Sequence, residues 1–80
     1  MKVKDILNHS NAIITTIIGT EKDGYPRLAM VRYDLIEHEN EINDIIPVVT
    51  SKVLLDEKYL NMTVDFISAS DTCRINIFTK

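Results

Sequence analysis

The chain has few of the residues that cross-link, break or anchor a fold. Its 80 residues include one cysteine, two glycines, two prolines and no tryptophan. A lone cysteine cannot close an internal disulfide, so the fold must be stabilised by its hydrophobic core. This is typical of proteins in a reducing compartment. Unbroken apolar runs are only a few residues long, whereas a bilayer span needs about 20. We therefore expect one cytoplasmic domain, residues 1–80, without a membrane helix.

Positive charge is also scarce. Nine lysines and arginines stand against twelve acidic residues, which gives a formal net charge of −3. A domain that binds phosphates usually has a clustered positive surface, so direct nucleic-acid binding is disfavoured. Five carboxylates fall in one stretch that contains no lysine or arginine: Asp34, Glu37, Glu39, Glu41 and Asp44. This acidic stretch predicts a negative patch.

What the chain does have is a strong hairpin signal. Two β-prone runs, Ala12–Ile18 and Leu28–Ile36, flank an Asp23-Gly24 pair, which is typical of a tight hairpin turn. A two-residue turn at this pair would place Ile17 opposite Met30. One face of the hairpin then covers the core and the other face points outward.

The outward face is apolar near the turn and polar towards the open end. Its apolar residues are Ile13, Ile17, Leu28 and Met30. Monomers seldom tolerate an exposed patch of this kind, so we expect a homo-oligomer that self-associates through these four residues. Arg32 lies on the same face and would form the polar rim of an interface.

The last twenty residues predict a second hairpin. Apolar and polar residues alternate over Met62–Phe66 and over Cys73–Ile77, and Ser70-Asp71 supplies a turn between them. A turn centred there places Phe66 opposite Ile75 on the core face.

Short helices complete the expected fold. Val3, Ile6 and Leu7 have helical spacing and predict a short helix that docks on the sheet. Ser51 can cap a helix over residues 52–60, or residues 47–55 can form an edge strand, and both options stay open. The predicted fold is α+β: a four-stranded antiparallel sheet of two hairpins with one or two short helices on one face.

The sequence has no pattern that announces a reaction. His9 and His38 belong to no metal-ligand motif, and Cys73 falls on the inward face of the last strand, where it acts as an apolar filler. The acidic stretch lacks the Asp-x-Asp-x-Asp-Gly order of a calcium loop, and the two glycines form no phosphate loop. We therefore expect no enzymatic activity, no metal and no cofactor.

The layout as a whole resembles the small accessory proteins of bacteriophages and mobile elements, some of which are anti-CRISPR or other anti-defence inhibitors. The resemblance lies in the opening Met1–Leu7, the central hairpin and the alternating closing strand. It implies a compact protein, often dimeric, that binds a host complex and blocks it.

These observations predict a non-enzymatic, protein-binding inhibitor or adaptor that acts by steric occlusion. Its partner would present a basic surface, and the contact residues would be Arg32, Glu37, Glu39, Glu41 and Asp44. The alternative is a module that binds a small ligand or signalling nucleotide in a pocket between subunits. In that case Arg32, Tyr33 and Arg74 would supply anion or stacking contacts.

Overall fold

The computed structural model describes residues 1–33, 46–71 and 73–80, which form an α+β domain as expected. The strands are β1 Ile14–Ile18, β2 Arg27–Arg32, β3 Val48–Val49, β4 Val64–Ala69 and β5 Arg74–Thr79. The helices are α1 Val3–His9 and α2 Glu57–Leu60, and the 3-10 turns are Glu21–Asp23 and Lys52–Leu54. None of the helices in these described ranges is long and apolar enough to cross a membrane.

In the described part of the chain the sheet is mixed and has five strands, in the order β3-β2-β1-β5-β4. Both expected hairpins are present, as the antiparallel pairs β1–β2 and β4–β5. The hairpins meet through β1 and β5, which run parallel, and β3 adds a short parallel edge beside β2. The expectation of four antiparallel strands is therefore wrong in this detail. Alternation predicts which residues share a face, but it does not predict which strand lies beside which.

The core lies between one face of this sheet and the helices. Its buried apolar residues are Val3, Leu7, Ile17, Ala29, Val31, Leu55 and Ile77. The spacing of Val3 and Leu7 places both on the inner side of α1, as expected. The Asp5 carboxylate accepts the backbone N–H of Lys2 at 2.9 Å, and an acidic side chain in the first turn suits the helix dipole.

The first hairpin turns through a longer loop than a two-residue turn. The Gly19 N–H donates to the carbonyl of Pro26 at 2.8 Å, and the 3-10 turn Glu21–Asp23 fills the space between. Gly24 (φ 81°) and Tyr25 (φ 55°) both adopt the left-handed region. The pairing is consequently displaced by one residue.

This displacement corrects the expected faces of the hairpin. Ile17 pairs with Ala29, and Met30 pairs with Thr16, so Ile17 and Met30 lie on opposite faces. Ile17 is fully buried in the helix-covered core, Met30 is buried on the other face, and Leu28 is half-buried against the core. Ile13 is exposed and lies outside β1. These four residues therefore do not share the exposed face on which the self-association prediction was built.

The register of the second hairpin also differs from the expectation. Phe66 pairs with Phe78 and Ile67 pairs with Ile77, with an irregularity between Val64 and Phe66. Phe66 therefore lies on the face away from the helices. The expectation that Cys73 points inward is wrong as well, because Cys73 precedes β5 and is exposed.

The segment between Pro47 and Leu60 combines both open options. It begins with the edge strand β3. The Ser51 hydroxyl then accepts the Val53 N–H at 3.4 Å, but the helix that it caps is only a 3-10 turn. Asp56 caps the separate helix α2 by accepting the Lys58 N–H at 3.0 Å. Two caps five residues apart divide the expected helix into two short ones.

Candidate partner-binding surface

Of the residues expected to contact a partner, Arg32 alone lies among the described residues. Glu37, Glu39, Glu41 and Asp44 lie outside the described residues. Arg32 is the last residue of β2 and is 6% exposed, so it does not form an exposed rim.

The arginines of the alternative prediction share one face of the sheet. Arg32 and Arg74 both pair with Ile14, one from each side, so they lie two strands apart. Arg74 Nε lies 3.6 Å from Asp71 Oδ2 in an exposed ion pair. Tyr33 is 40% exposed, just beyond the end of β2. The fold thus brings the two arginines to one face, with Arg32 buried.

A different group of residues forms an aromatic surface in the part of the chain that the structure describes. Phe66 stacks on Phe78 with ring centroids 4.3 Å apart and planes 8° apart. Tyr25 meets Phe78 edge-on, with centroids 5.3 Å apart and an interplanar angle of 87°. We call Tyr25, Phe66 and Phe78 the aromatic patch. It gathers three of the five aromatic residues of the chain.

Strand order explains how these three residues meet. The β4–β5 register sets Phe66 beside Phe78, and the parallel β1–β5 register sets Phe78 beside Ile18 at the end of β1. The loop that follows β1 then brings Tyr25 over Phe78. Tyr25 holds a left-handed backbone conformation that costs a non-glycine residue about 1–2 kcal/mol, and its contact with the Phe78 ring offsets part of this strain.

The aromatic patch is open to solvent. Tyr25 is 42% exposed and Phe66 is 45% exposed, while Phe78 is half-buried beneath them. Singly exposed aromatic side chains are common, but contiguous exposed rings are a feature of interaction sites.

Two carboxylates border this patch. The Tyr25 hydroxyl donates to Glu21 Oε2 at 3.4 Å. The pKa of Tyr25 is raised above its ordinary value, first by desolvation, then by the Glu21 carboxylate, and also by Asp65. Arg27, at the start of β2, is a cation on the same face of the sheet, with Ile18 of β1 between it and Phe78. Because Glu21 and Asp65 both raise the pKa of Tyr25, the phenol end of the patch lies in a negative local field.

This arrangement suits a cationic group. Ring faces attract ammonium and guanidinium groups, and nearby carboxylates strengthen that attraction. The same carboxylates repel phosphate, so the patch is a poor platform for nucleotides despite its rings. Among the described residues, no group of three or more histidines, cysteines or acidic residues could hold a metal ion.

Sequence reasoning missed the aromatic patch. Its three residues are distant in sequence, and only the correct β4–β5 register and the parallel β1–β5 pairing bring them together. The available signal was the alternation around Phe66 and Phe78, which is compatible with either face. Comparison with family models, with curated proteins and with solved structures finds no match to this chain.

Proposed function

We propose that this chain is a non-enzymatic binding protein, an inhibitor or adaptor, that docks on a basic protein surface through the aromatic patch. The observation that carries the proposal is the stacked Phe66–Phe78 pair, which lies under Tyr25 and beside the carboxylates of Glu21 and Asp65. An arginine or lysine of the partner would lie on the rings and meet the carboxylates. Occupying the partner's basic surface would block whatever else binds there.

Charge supports a basic partner over an acidic one. The chain has a net charge of −3, and the carboxylates at the patch add a local negative field to it. Such a field raises the association rate with a basic surface and is screened by salt. The acidic stretch that includes Glu37, Glu39 and Glu41 would contribute to the same steering.

A matched pair of peptides tests the chemistry. One peptide carries several arginines, and the other carries citrulline, the uncharged isostere of arginine, at the same positions. We expect the arginine peptide to bind, to weaken as salt rises, and to shift the NMR signals of Tyr25, Phe66 and Phe78. Equal binding of the citrulline peptide, or shifts located elsewhere, would refute the proposal.

Variants locate the surface. Tyr25→Ala and Phe66→Ala should each weaken binding of the arginine peptide several-fold, because stacking and cation–π contacts are lost. Tyr33→Ala is the matched control, since Tyr33 is exposed to a similar extent at a different place. Changing Glu37, Glu39 and Glu41 together to lysine tests the acidic stretch separately. If only that triple variant loses binding, the aromatic patch is not the contact surface.

A small-ligand module is the second candidate, and the observation that favours it is the common face of Arg32 and Arg74. An anionic ligand between subunits would need both guanidinium groups, yet Arg32 is buried. Titration with cyclic dinucleotides, monitored by thermal unfolding, tests this candidate. A rise in melting temperature that Arg74→Ala abolishes and Phe66→Ala leaves intact would favour it over the aromatic patch.

A further inference from the structure

The strand β4, one of the two outer strands of the sheet, has an open outer edge along half of its length. It lies at the end of the strand order and has β5 as its one neighbour among the described strands. The first half of its outer edge is occupied or irregular, since Lys2 bridges Thr63 and the pairing with β5 shifts between Val64 and Phe66. Natural edges use such irregularities to prevent further pairing. Among the described residues, none pairs with the outer edge of the second half, Ile67 to Ala69.

The hydrogen-bonding direction of this half follows from the hairpin. Ser70 N–H donates to the Arg74 carbonyl, so the backbone groups of Ser70 and, two residues earlier, Ser68 point towards β5. The N–H and C=O groups of Ile67 and Ala69 therefore point away from the sheet. The opposite edge, β3, is two residues long, against three in the open half of β4.

We propose that this open edge pairs with the same edge of a second copy, antiparallel, about a two-fold axis through Ser68. Ile67 of each copy would then lie opposite Ala69 of the other, and all their outward N–H and C=O groups would find partners. The ladder would join two five-stranded sheets into one. The half-exposed Ile67 side chain would become covered in the process.

The spacing of the outward groups favours a second copy as the occupant, because Ile67 and Ala69 lie symmetrically about Ser68 and the same segment of another chain matches them. The paired segment from Phe66 to Ser70 carries no charge, so the ladder brings no like charges together. Lys2 lies beyond one end of the open edge and Asp71 beyond the other. The two-fold axis through Ser68 sets Asp71 of each copy opposite Asp65 of its partner, so the ladder ends at Ser70.

The test is a pair of substitutions at one residue. Ala69→Pro removes the outward N–H and leaves the β4–β5 ladder intact, whereas Ala69→Val keeps the N–H. Sedimentation equilibrium from micromolar to millimolar protein should show a dimer for the wild type and for Ala69→Val. Ala69→Pro should shift the dimer dissociation constant at least tenfold towards monomer while circular dichroism stays unchanged.

Two further results would decide against the edge. A wild-type protein that is monomeric over the whole range, or a dimer that Ala69→Pro does not weaken, overturns the proposal. If Ala69→Pro fails to fold, Ile67→Lys serves the same purpose by placing a charge in the ladder. Phe66→Ala separates this interface from the aromatic patch, since it removes a ring and no backbone group. A dimer lost only in Phe66→Ala would assign self-association to the patch.

Discussion

Ile17 and Ile77 lie opposite each other in the parallel pair of strands at the centre of the sheet, and both side chains are fully buried. This contact joins the two hairpins, which are otherwise separate units of the chain. Ile77 also pairs with Ile67 on its other side, and Ile67 is 45% exposed. Side-chain burial therefore decreases from the centre of the sheet, at Ile17 and Ile77, to its edge, at Ile67.

The Ile77–Ile67 pair gives the first prediction. Ile77→Ala should lower the free energy of unfolding by about 2–5 kcal/mol because it leaves a cavity in the core. Ile67→Ala should cost less than about 1 kcal/mol, because much of its side chain is already in water. Urea unfolding at low protein concentration measures both, and equal costs would contradict the central position of Ile77. If Ile77→Ala is unfolded, Ile77→Val should still cost about 0.5–1.5 kcal/mol.

Two buried threonines give the second prediction. The Thr79 hydroxyl donates to the Ile18 carbonyl at 2.8 Å, which ties the end of β5 to β1. Among the residues that the structure describes, the Thr15 hydroxyl finds no hydrogen-bond partner. Valine has the same shape as threonine, so the two Thr→Val variants isolate the hydroxyl groups.

Thr79→Val should lower the free energy of unfolding by about 1–3 kcal/mol, because it leaves the Ile18 carbonyl without this donor. Thr15→Val should be neutral or stabilising by up to about 1 kcal/mol, since it removes an unpaired buried hydroxyl. Thermal and urea unfolding measure the difference. A larger loss at Thr15 than at Thr79 would show that the Thr15 hydroxyl has a partner in solution.

The two glycines give a third prediction with two distinct causes. A Cβ on Gly19 would lie 2.8 Å from Pro26 Cγ, and the proline ring has little freedom to move. Gly19→Ala should therefore cost about 1–3 kcal/mol through overpacking. Replacing Pro26 with alanine as well should recover part of this loss, and a double-mutant cycle measures the recovery.

Gly24 differs because space around it is open while its φ is +81°. Gly24→Ala should cost about 1–2 kcal/mol through backbone strain, and Gly24→Asn should cost less because asparagine tolerates the left-handed region. Equal losses for alanine and asparagine would argue against a backbone origin.

Tyr25 gives a pH prediction. Its pKa is raised above the ordinary 10.0 by desolvation and by the Glu21 and Asp65 carboxylates, so the folded state favours the protonated phenol. Its contribution to stability is complete below pH 10 and is lost as pH rises through the folded pKa. Relative to Tyr25→Phe, the wild type should lose stability more steeply above pH 10.

Tyrosinate absorbance checks this assignment directly. The titration of Tyr25, obtained as the difference between the wild type and Tyr25→Phe, should have a midpoint above that of a free tyrosine. Glu21→Gln should move that midpoint downward. An unchanged midpoint in Glu21→Gln would exclude Glu21 as a cause.

Cys73 gives the last prediction. Because it is exposed, a maleimide reagent should label the thiol in the folded protein at a rate near that measured in denaturant. Cys73→Ser should change the free energy of unfolding by less than about 0.5 kcal/mol. Strong protection from labelling under native conditions would restore the inward position that the sequence pattern favoured.

The sequence predicted part of the local structure correctly. The spacing of Val3 and Leu7 predicted α1, and alternation together with turn residues located both hairpins. Ser51 was identified as a cap, although the helix after it is a single 3-10 turn. These features depend on residues close in the chain, whose geometry is limited by backbone sterics and by local hydrogen bonds.

Tertiary structure decided the register, the strand order and hence the candidate surface. A pairing displaced by one residue moved Ile17 and Met30 to opposite faces, because successive side chains in a strand alternate. The parallel pairing of β1 with β5 brings Tyr25 over Phe78, although the two residues are distant in sequence. The sequence by itself determined α1 and the two hairpins, but not the division of residues 47–60 into a strand and two short helices. Only packing of the whole chain decided which aromatic side chains meet, since that depends on contacts between distant segments competing for one core.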